Sequence, residues 1–187
     1  DMFAGEGVMQ TMAYANKVKS LDAWDIDPYL ASSLERNVPW AKVKITNSME
    51  EMKKPEHHGQ YDLLVIDNHS ACYGPNEKYC EHFEVLPEAL SLLNPQEGIV
   101  VFNVNRESPG IVATKTHQER KAAFYGASPQ EKHYLDLEFL QEFYTKLFER
   151  QGYDTRFFFC VSRGGAHRND YLYYFVFSLT QRIYSPH

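Results

Sequence analysis

The chain has 187 residues, 43% of them hydrophobic and 24% charged, with a net charge of -6. That is enough for one domain with a real core, and the acidic balance speaks against broad phosphate-backbone binding without excluding a local basic patch. No apolar run reaches membrane-spanning length, and three cysteines (Cys72, Cys80, Cys160) without metal-type spacing argue against a disulfide framework and for a reducing, cytoplasmic setting.

The chain opens on Asp1-Met-Phe-Ala-Gly-Glu-Gly7. An acid, a short apolar step and Gly-x-Gly are how a buried strand ends and turns tightly into a helix. Glycine at 5 and 7 permits positive φ and leaves no side chain between the turn and a ligand. The free amides of the next helix would face whatever sits over the turn. The apolar part of that first strand does not precede Asp1. The expectation is therefore a single domain over 1–187, with its first strand truncated, within a longer natural protein.

Val8 to Lys19 reads as a helix with Val8, Met9, Met12, Ala13 and Ala15 on its apolar face. Leu21 to Ile26 reads as a short strand. It puts Asp25 roughly 20 residues after Gly5, where a nucleoside-binding sheet keeps a carboxylate for ribose hydroxyls. Asp27 is placed to cap a helix with Pro28 in its first turn, running to about Asn37. Ala41 to Thr46 is a strand, Asn47 and Ser48 a turn, and Met49 to Lys54 a short helical piece.

Tyr61 to Asp67 is the clearest buried parallel-type strand, because Leu63-Leu-Val-Ile66 is continuous and not alternating. A loop to Asn76 follows, then a helix from Glu77 to Leu93 with a kink or break at Pro87. Gly98 to Val104 is another buried strand. The polar stretch from Asn105 to about Gln130 reads as a long loop, either a lid, a small basic–aromatic contact or a solvated segment. Lys132 to Arg150 is an amphipathic helix with Leu140, Phe143, Leu147 and Phe148 inward. Tyr153 to Ser162 and Tyr171 to Gln181 form an antiparallel hairpin. Alternation of strands and helices with a hairpin finish gives a doubly wound, mostly parallel α/β sheet.

At this point the chain resembles the class I S-adenosylmethionine-dependent methyltransferase superfamily over almost its whole length. Asp1, Gly5 and Gly7 match the family's first loop, Asp-x-x-x-Gly-x-Gly. Asp25 matches the acid ending the second strand and Asp67 the acid ending the fourth. The resemblance implies a Rossmann-like sheet of seven strands in the order 3-2-1-4-5-7-6, with strand 7 antiparallel. It also implies S-adenosylmethionine as cofactor. The loop from Asp1 through Phe3 to Gly7 would hold its amino-acid end and Asp25 its ribose. Ile26 would press on an adenine face, and Ser48 and Met49 would meet the adenine edge. The methyl would point past Asp67. A nicotinamide-binding reading is disfavoured, since Gln10 stands where the third glycine of that fingerprint belongs.

Methyl transfer needs the acceptor held in line and, for an oxygen acceptor, a proton removed. His69 is the first candidate base and Asp67 the second. Asp67, Asn68, Asn103 and Asn105 stand where some relatives hold a divalent cation, but one acid and three amides make a poor set, and no metal is expected. Asp67-Asn-His-Ser70 lacks the prolines of enzymes that methylate exocyclic amines of bases, and Cys72 lacks the Pro-Cys context of a pyrimidine-attacking nucleophile. An aminopropyl transferase is disfavoured because the loop at 68–76 supplies no acids for a polyamine. The expected activity is methyl transfer to an oxygen or nitrogen of a small-molecule or peptide acceptor. The alternatives are a catalytically silent binding module of a larger protein and a nucleic-acid methyltransferase.

Overall fold

The computed structural model describes residues 1–8, 10–68, 72–105, 114–127, 136–162 and 172–182. In chain order, α1 is Gln10–Ala15, β1 Asp22–Asp25, α2 Ala31–Asn37, β2 Lys42–Ile45 and α3 Ser48–Glu51. Next come β3 Leu63–Ile66, β4 Cys72–Tyr73, β5 Tyr79–Cys80, α4 Val85–Ala89 and β6 Gly98–Asn105. The chain then forms α5 Lys115–Tyr125, α6 Leu137–Arg150, β7 Tyr153–Ser162 and β8 Leu172–Gln181.

The main sheet has four strands in the order β3-β6-β8-β7. β3 and β6 are parallel, and β8 runs antiparallel to both of its neighbours. β1 and β2 form a separate parallel pair. Residues 1–4 lie between the two sheets and bond to both. The Met2 amide donates to the Val65 carbonyl at 3.1 Å, and the Ala4 amide to the Trp24 carbonyl at 3.0 Å. The Trp24 amide donates in turn to the Asp1 carbonyl at 2.8 Å.

The core is mostly aromatic on the face that α6 covers. Leu140, Tyr144 and Phe148 recur at helical spacing and are fully buried. They meet Phe102, Phe175 and Phe177 of the sheet, with ring centroids 4.7 Å apart for Phe102–Tyr144 and 4.9 Å for Phe148–Phe177. Truncating any one of these rings to alanine would cost about 3–5 kcal/mol. A smaller cluster of Ala4, Ala15, Leu21, Ala23, Leu34 and Val38 holds α1 and α2 to β1.

Five sequence expectations are corrected. The first helix is short, closing where the Lys17 amide turns back onto the Tyr14 carbonyl at 2.8 Å. The helix expected over Glu77 to Leu93 is broken up. Tyr79–Cys80 pairs with Cys72–Tyr73 instead, so the expected loop at 68–76 contains a strand. The backbone of Asn76, Glu77 and Glu81 is left-handed, with φ of 55, 53 and 44°. α4 therefore starts only at Val85, and Pro87 falls in its first turn, where a missing N–H costs nothing. The helical spacing of Phe83, Leu86, Leu90 and Leu93 reflects burial of several short pieces, not one helix. The long polar stretch after β6 contains α5, capped by Thr114 and ended by Gly126 in the left-handed conformation. Ser48, expected in a turn, opens α3, with the Asn47 side chain accepting from the Met49 amide at 3.0 Å.

Candidate functional site

The first loop is anchored at both ends by carboxylates. Asp1 accepts from the Phe3 amide at 3.2 Å, the Thr11 hydroxyl at 2.8 Å and the Tyr14 hydroxyl. Burial pushes the Tyr14 hydroxyl well above its ordinary range; the Thr11 hydrogen bond opposes that rise, and the charge of Asp67 adds to it. Asp67 is therefore within electrostatic reach of the same ring. Asp25 closes the other end: one oxygen accepts from the Gly5 amide at 2.8 Å and the other from the Asp27 amide at 2.9 Å. Each carboxylate oxygen has two lone pairs, so Asp25 keeps acceptor capacity for a ligand.

The two glycines serve different ends. Gly5 has φ +56°, and a Cβ there would meet nothing within 4 Å, so the space beside the turn is open. Gly7 has φ +76°, and a Cβ would stand 2.9 Å from Leu34 Cδ1, so this glycine is needed to pack the loop on α2. Ile26 follows Asp25 and is 67% exposed. Phe3 is half-buried and meets Tyr73 edge-on at 5.8 Å, linking this loop to the β4–β5 hairpin.

Asp1, Phe3, Gly5, Asp25 and Ile26 are thus gathered on and beside one turn. Ser48 and Met49 face inward. The Ser48 hydroxyl donates to the Met2 carbonyl at 2.5 Å, and the Met49 side chain lies in the core. Asp67 follows the end of β3. His69 lies outside the described residues.

Beside Asn68 the structure holds a buried polar cluster whose members are far apart in sequence. Glu81 is its centre and is fully buried. It bonds His117 Nε2 at 2.7 Å and Lys121 Nζ at 3.1 Å through one oxygen, and accepts from the Asn105 amide at 3.3 Å through the other. Its backbone carbonyl accepts from Asn68 Nδ2 at 3.2 Å. Burial alone would raise the Glu81 pKa; the charge of Lys121 and the His117 hydrogen bond outweigh it and hold the group at about 2. Lys121 is 3% exposed and also donates to the Asn105 carbonyl. Next in sequence, His82 bonds the Tyr144 hydroxyl at 2.6 Å, and burial lowers its pKa to about 4. Asn103, 1% exposed near the end of β6, has no hydrogen-bond partner for either amide atom among the described residues.

Glu81, His117 and Lys121 are 36 and 40 residues apart in sequence, and no local pattern pairs them. The caps at Thr114 and Gly126 are the signal that would have revealed α5 as a helix. Elsewhere, donor atoms of Glu51, Glu56 and His57 approach within 4.8 Å of one another. Glu51 is already ion-paired with Lys44 and Lys54 and bonded to His57, so a cation there would have to displace two ammonium groups.

No protein-family model and no curated protein sequence matches the chain. Solved structures do match in fold. TYW2 of M. jannaschii, in complex with AdoMet, is 14% identical with a TM-score of 0.56, covering 98% of this chain and 68% of that one. A SAM-dependent methyltransferase of Methanosarcina mazei is 15% identical with a TM-score of 0.55, covering 96% and 90%. A Clostridium thermocellum protein provisionally named an rRNA methylase is 13% identical with a TM-score of 0.52, covering 97% and 86%. The chain has the fold of the class I S-adenosylmethionine-dependent methyltransferases.

Proposed function

We propose that the chain is a methyltransferase that takes its methyl from S-adenosylmethionine, held by the turn at Asp1–Gly7 and by Asp25. One observation carries this reading. The Gly5 amide is fixed on the Asp25 carboxylate at 2.8 Å, and the space where a Gly5 Cβ would stand is open. A bare turn is thereby presented beside a carboxylate with spare lone pairs, which suits a ligand carrying an amino-acid end and a ribose. Ile26 offers an apolar face to an adenine. In the same reading, residues 1–4 are the end of a first strand, and the two sheets join in the order 3-2-1-4-5-7-6. The reading also takes the protein to be cytoplasmic.

When bound, S-adenosylmethionine supplies a methyl carbon made electrophilic by its sulfonium. The work left to the chain is to hold the acceptor in line and, for an oxygen acceptor, to take its proton. The candidate bases for that step are His69, which lies outside the described residues, and then Asp67, which follows β3.

The acceptor we favour is an oxygen or nitrogen of a small molecule or peptide, in keeping with the net charge of -6. RNA is the second reading, supported by the name of the Clostridium thermocellum structure. Labelled S-adenosylmethionine separates them: the protein is incubated with total RNA, with a peptide pool and with a small-molecule extract. Label in the peptide or small-molecule fraction supports the first reading, and ribonuclease-sensitive label the second. No label in any fraction, from protein that binds the cofactor, would favour a silent module.

A further inference from the structure

The β4–β5 hairpin carries a cysteine pair that methyl transfer does not use. Cys72 and Cys80 are register partners on adjacent antiparallel strands, with their sulfurs 3.4 Å apart. Directly opposed residues of an antiparallel pair have Cα atoms about 4.5–5.5 Å apart, inside the range a disulfide spans. Closing the bond brings the sulfurs from 3.4 Å to about 2.0 Å, a movement within side-chain reach.

The hairpin is held in this geometry by contacts independent of the sulfurs. Arg120 donates to the carbonyls of Glu77 and Lys78 at 2.5 and 2.8 Å and pairs with Glu84. Glu84 accepts from the Cys80 amide at 2.8 Å. Gly74 takes φ +77°, and any Cβ there would stand 2.7 Å from the Tyr79 ring, so the turn between the strands requires glycine. These contacts hold the two thiols opposed without calling on the sulfurs. Such preorganisation favours an intramolecular disulfide over adducts with small thiols. The third cysteine, Cys160, lies on β7 and serves as an internal reference.

We propose that Cys72 and Cys80 are a modification site, forming a reversible disulfide with a small-molecule disulfide such as oxidised glutathione as the oxidant. Cys72 is half-buried and Cys80 fully buried, so Cys72 reacts first. Its thiolate attacks one sulfur of oxidised glutathione, forming a mixed disulfide and releasing one glutathione thiolate. The Cys80 thiol then loses its proton and attacks the Cys72 sulfur. The second glutathione leaves as thiolate, and both take up the protons lost by the two cysteines. Two electrons pass from the cysteine pair to glutathione. The bond ties the segment that carries Glu81 to the segment that follows Asn68. This inference does not depend on the proposed activity.

The test is equilibration of the folded protein in glutathione buffers of rising oxidised fraction, followed by acid quench, thiol titration in denaturant and peptide mapping. The proposal expects titratable thiols to fall from three to one. It also expects a peptide linked through Cys72 and Cys80, Cys160 still alkylated, and recovery of all thiols on reduction. Cys160→Ser should retain the linked peptide, and Cys72→Ser and Cys80→Ser should each lose it. If all three thiols persist, if Cys72 accumulates as a stable glutathione adduct, or if the linkage forms equally well in denaturant, the proposal fails.

Discussion

Asp25 and Glu81 each hold a region of this molecule together, but they do it with different partners. Asp25 binds two backbone amides, those of Gly5 and Asp27, and stays half-buried with lone pairs to spare. Glu81 is sealed from solvent and engages two side chains, His117 and Lys121, together with the Asn105 amide. A carboxylate set against fixed amides shapes a turn and remains able to accept from a ligand. One committed to a buried ammonium and a buried imidazole is consumed by them, and its value is structural. The account therefore assigns binding to the first region and organisation of the neighbouring strand ends to the second.

The largest effect that could break this contrast is at Glu81. Glu81→Gln leaves Lys121 buried without its counter-charge and should cost about 3–5 kcal/mol in urea unfolding. Cofactor affinity in the fraction still folded should change less than about twofold, since Glu81 spends its bonds on Asn68, Asn105, His117 and Lys121. A cost under about 1 kcal/mol would show that the cluster does not hold the fold.

Acid should expose the same region. His82 is buried neutral, with a pKa lowered by burial from 6.5 to about 4. The unfolded chain binds more protons between those values, so His82 contributes stability above pH 6.5 that is lost as pH falls towards 4. Glu81, lowered from 4.5 to about 2, continues the loss below pH 4.5. Stability measured against pH should decline through both windows, and His82→Gln should flatten only the upper one. A wild-type profile level from pH 7 to pH 4 would contradict the placement of His82.

At Asp25 the order of effects reverses. Asp25→Ala removes one acceptor from each of two amides and should cost about 2 kcal/mol of stability, while weakening S-adenosylmethionine binding at least about tenfold. The smallest and most discriminating comparison lies between the two glycines. Gly7→Ala meets Leu34 as well as an unfavourable φ and should cost about 1–3 kcal/mol. Gly5→Ala meets only the φ penalty, about 1 kcal/mol, but places a methyl in the open space and should weaken cofactor binding more than Gly7→Ala does. Equal affinities in the two variants would remove Gly5 from the binding surface.

What could be read from the sequence follows the same division. The turn at Gly5–Gly7, the strand ending at Asp25, the Asp27 cap and the closing hairpin rest on local rules of φ, capping and periodicity, and all are present. Residues 77–93 misled because burial repeated at helical spacing through a strand, a turn and two short helical pieces. The Glu81 cluster was illegible because its members come from distant segments and meet only in the fold. Ser48 and Met49 follow a recognisable strand, yet spend their side chains on Met2 and on the core, which no spacing reveals.

The central claim is that the Asp1–Gly7 turn and Asp25 bind S-adenosylmethionine. Calorimetric titration of the wild-type protein and of Asp25→Ala, both shown folded by circular dichroism, with S-adenosylmethionine and S-adenosylhomocysteine tests it most directly. The account predicts micromolar binding of both compounds to the wild type and at least about tenfold weaker binding to the variant. A folded wild-type protein that binds neither, or a variant that binds both as tightly as the wild type, would contradict it.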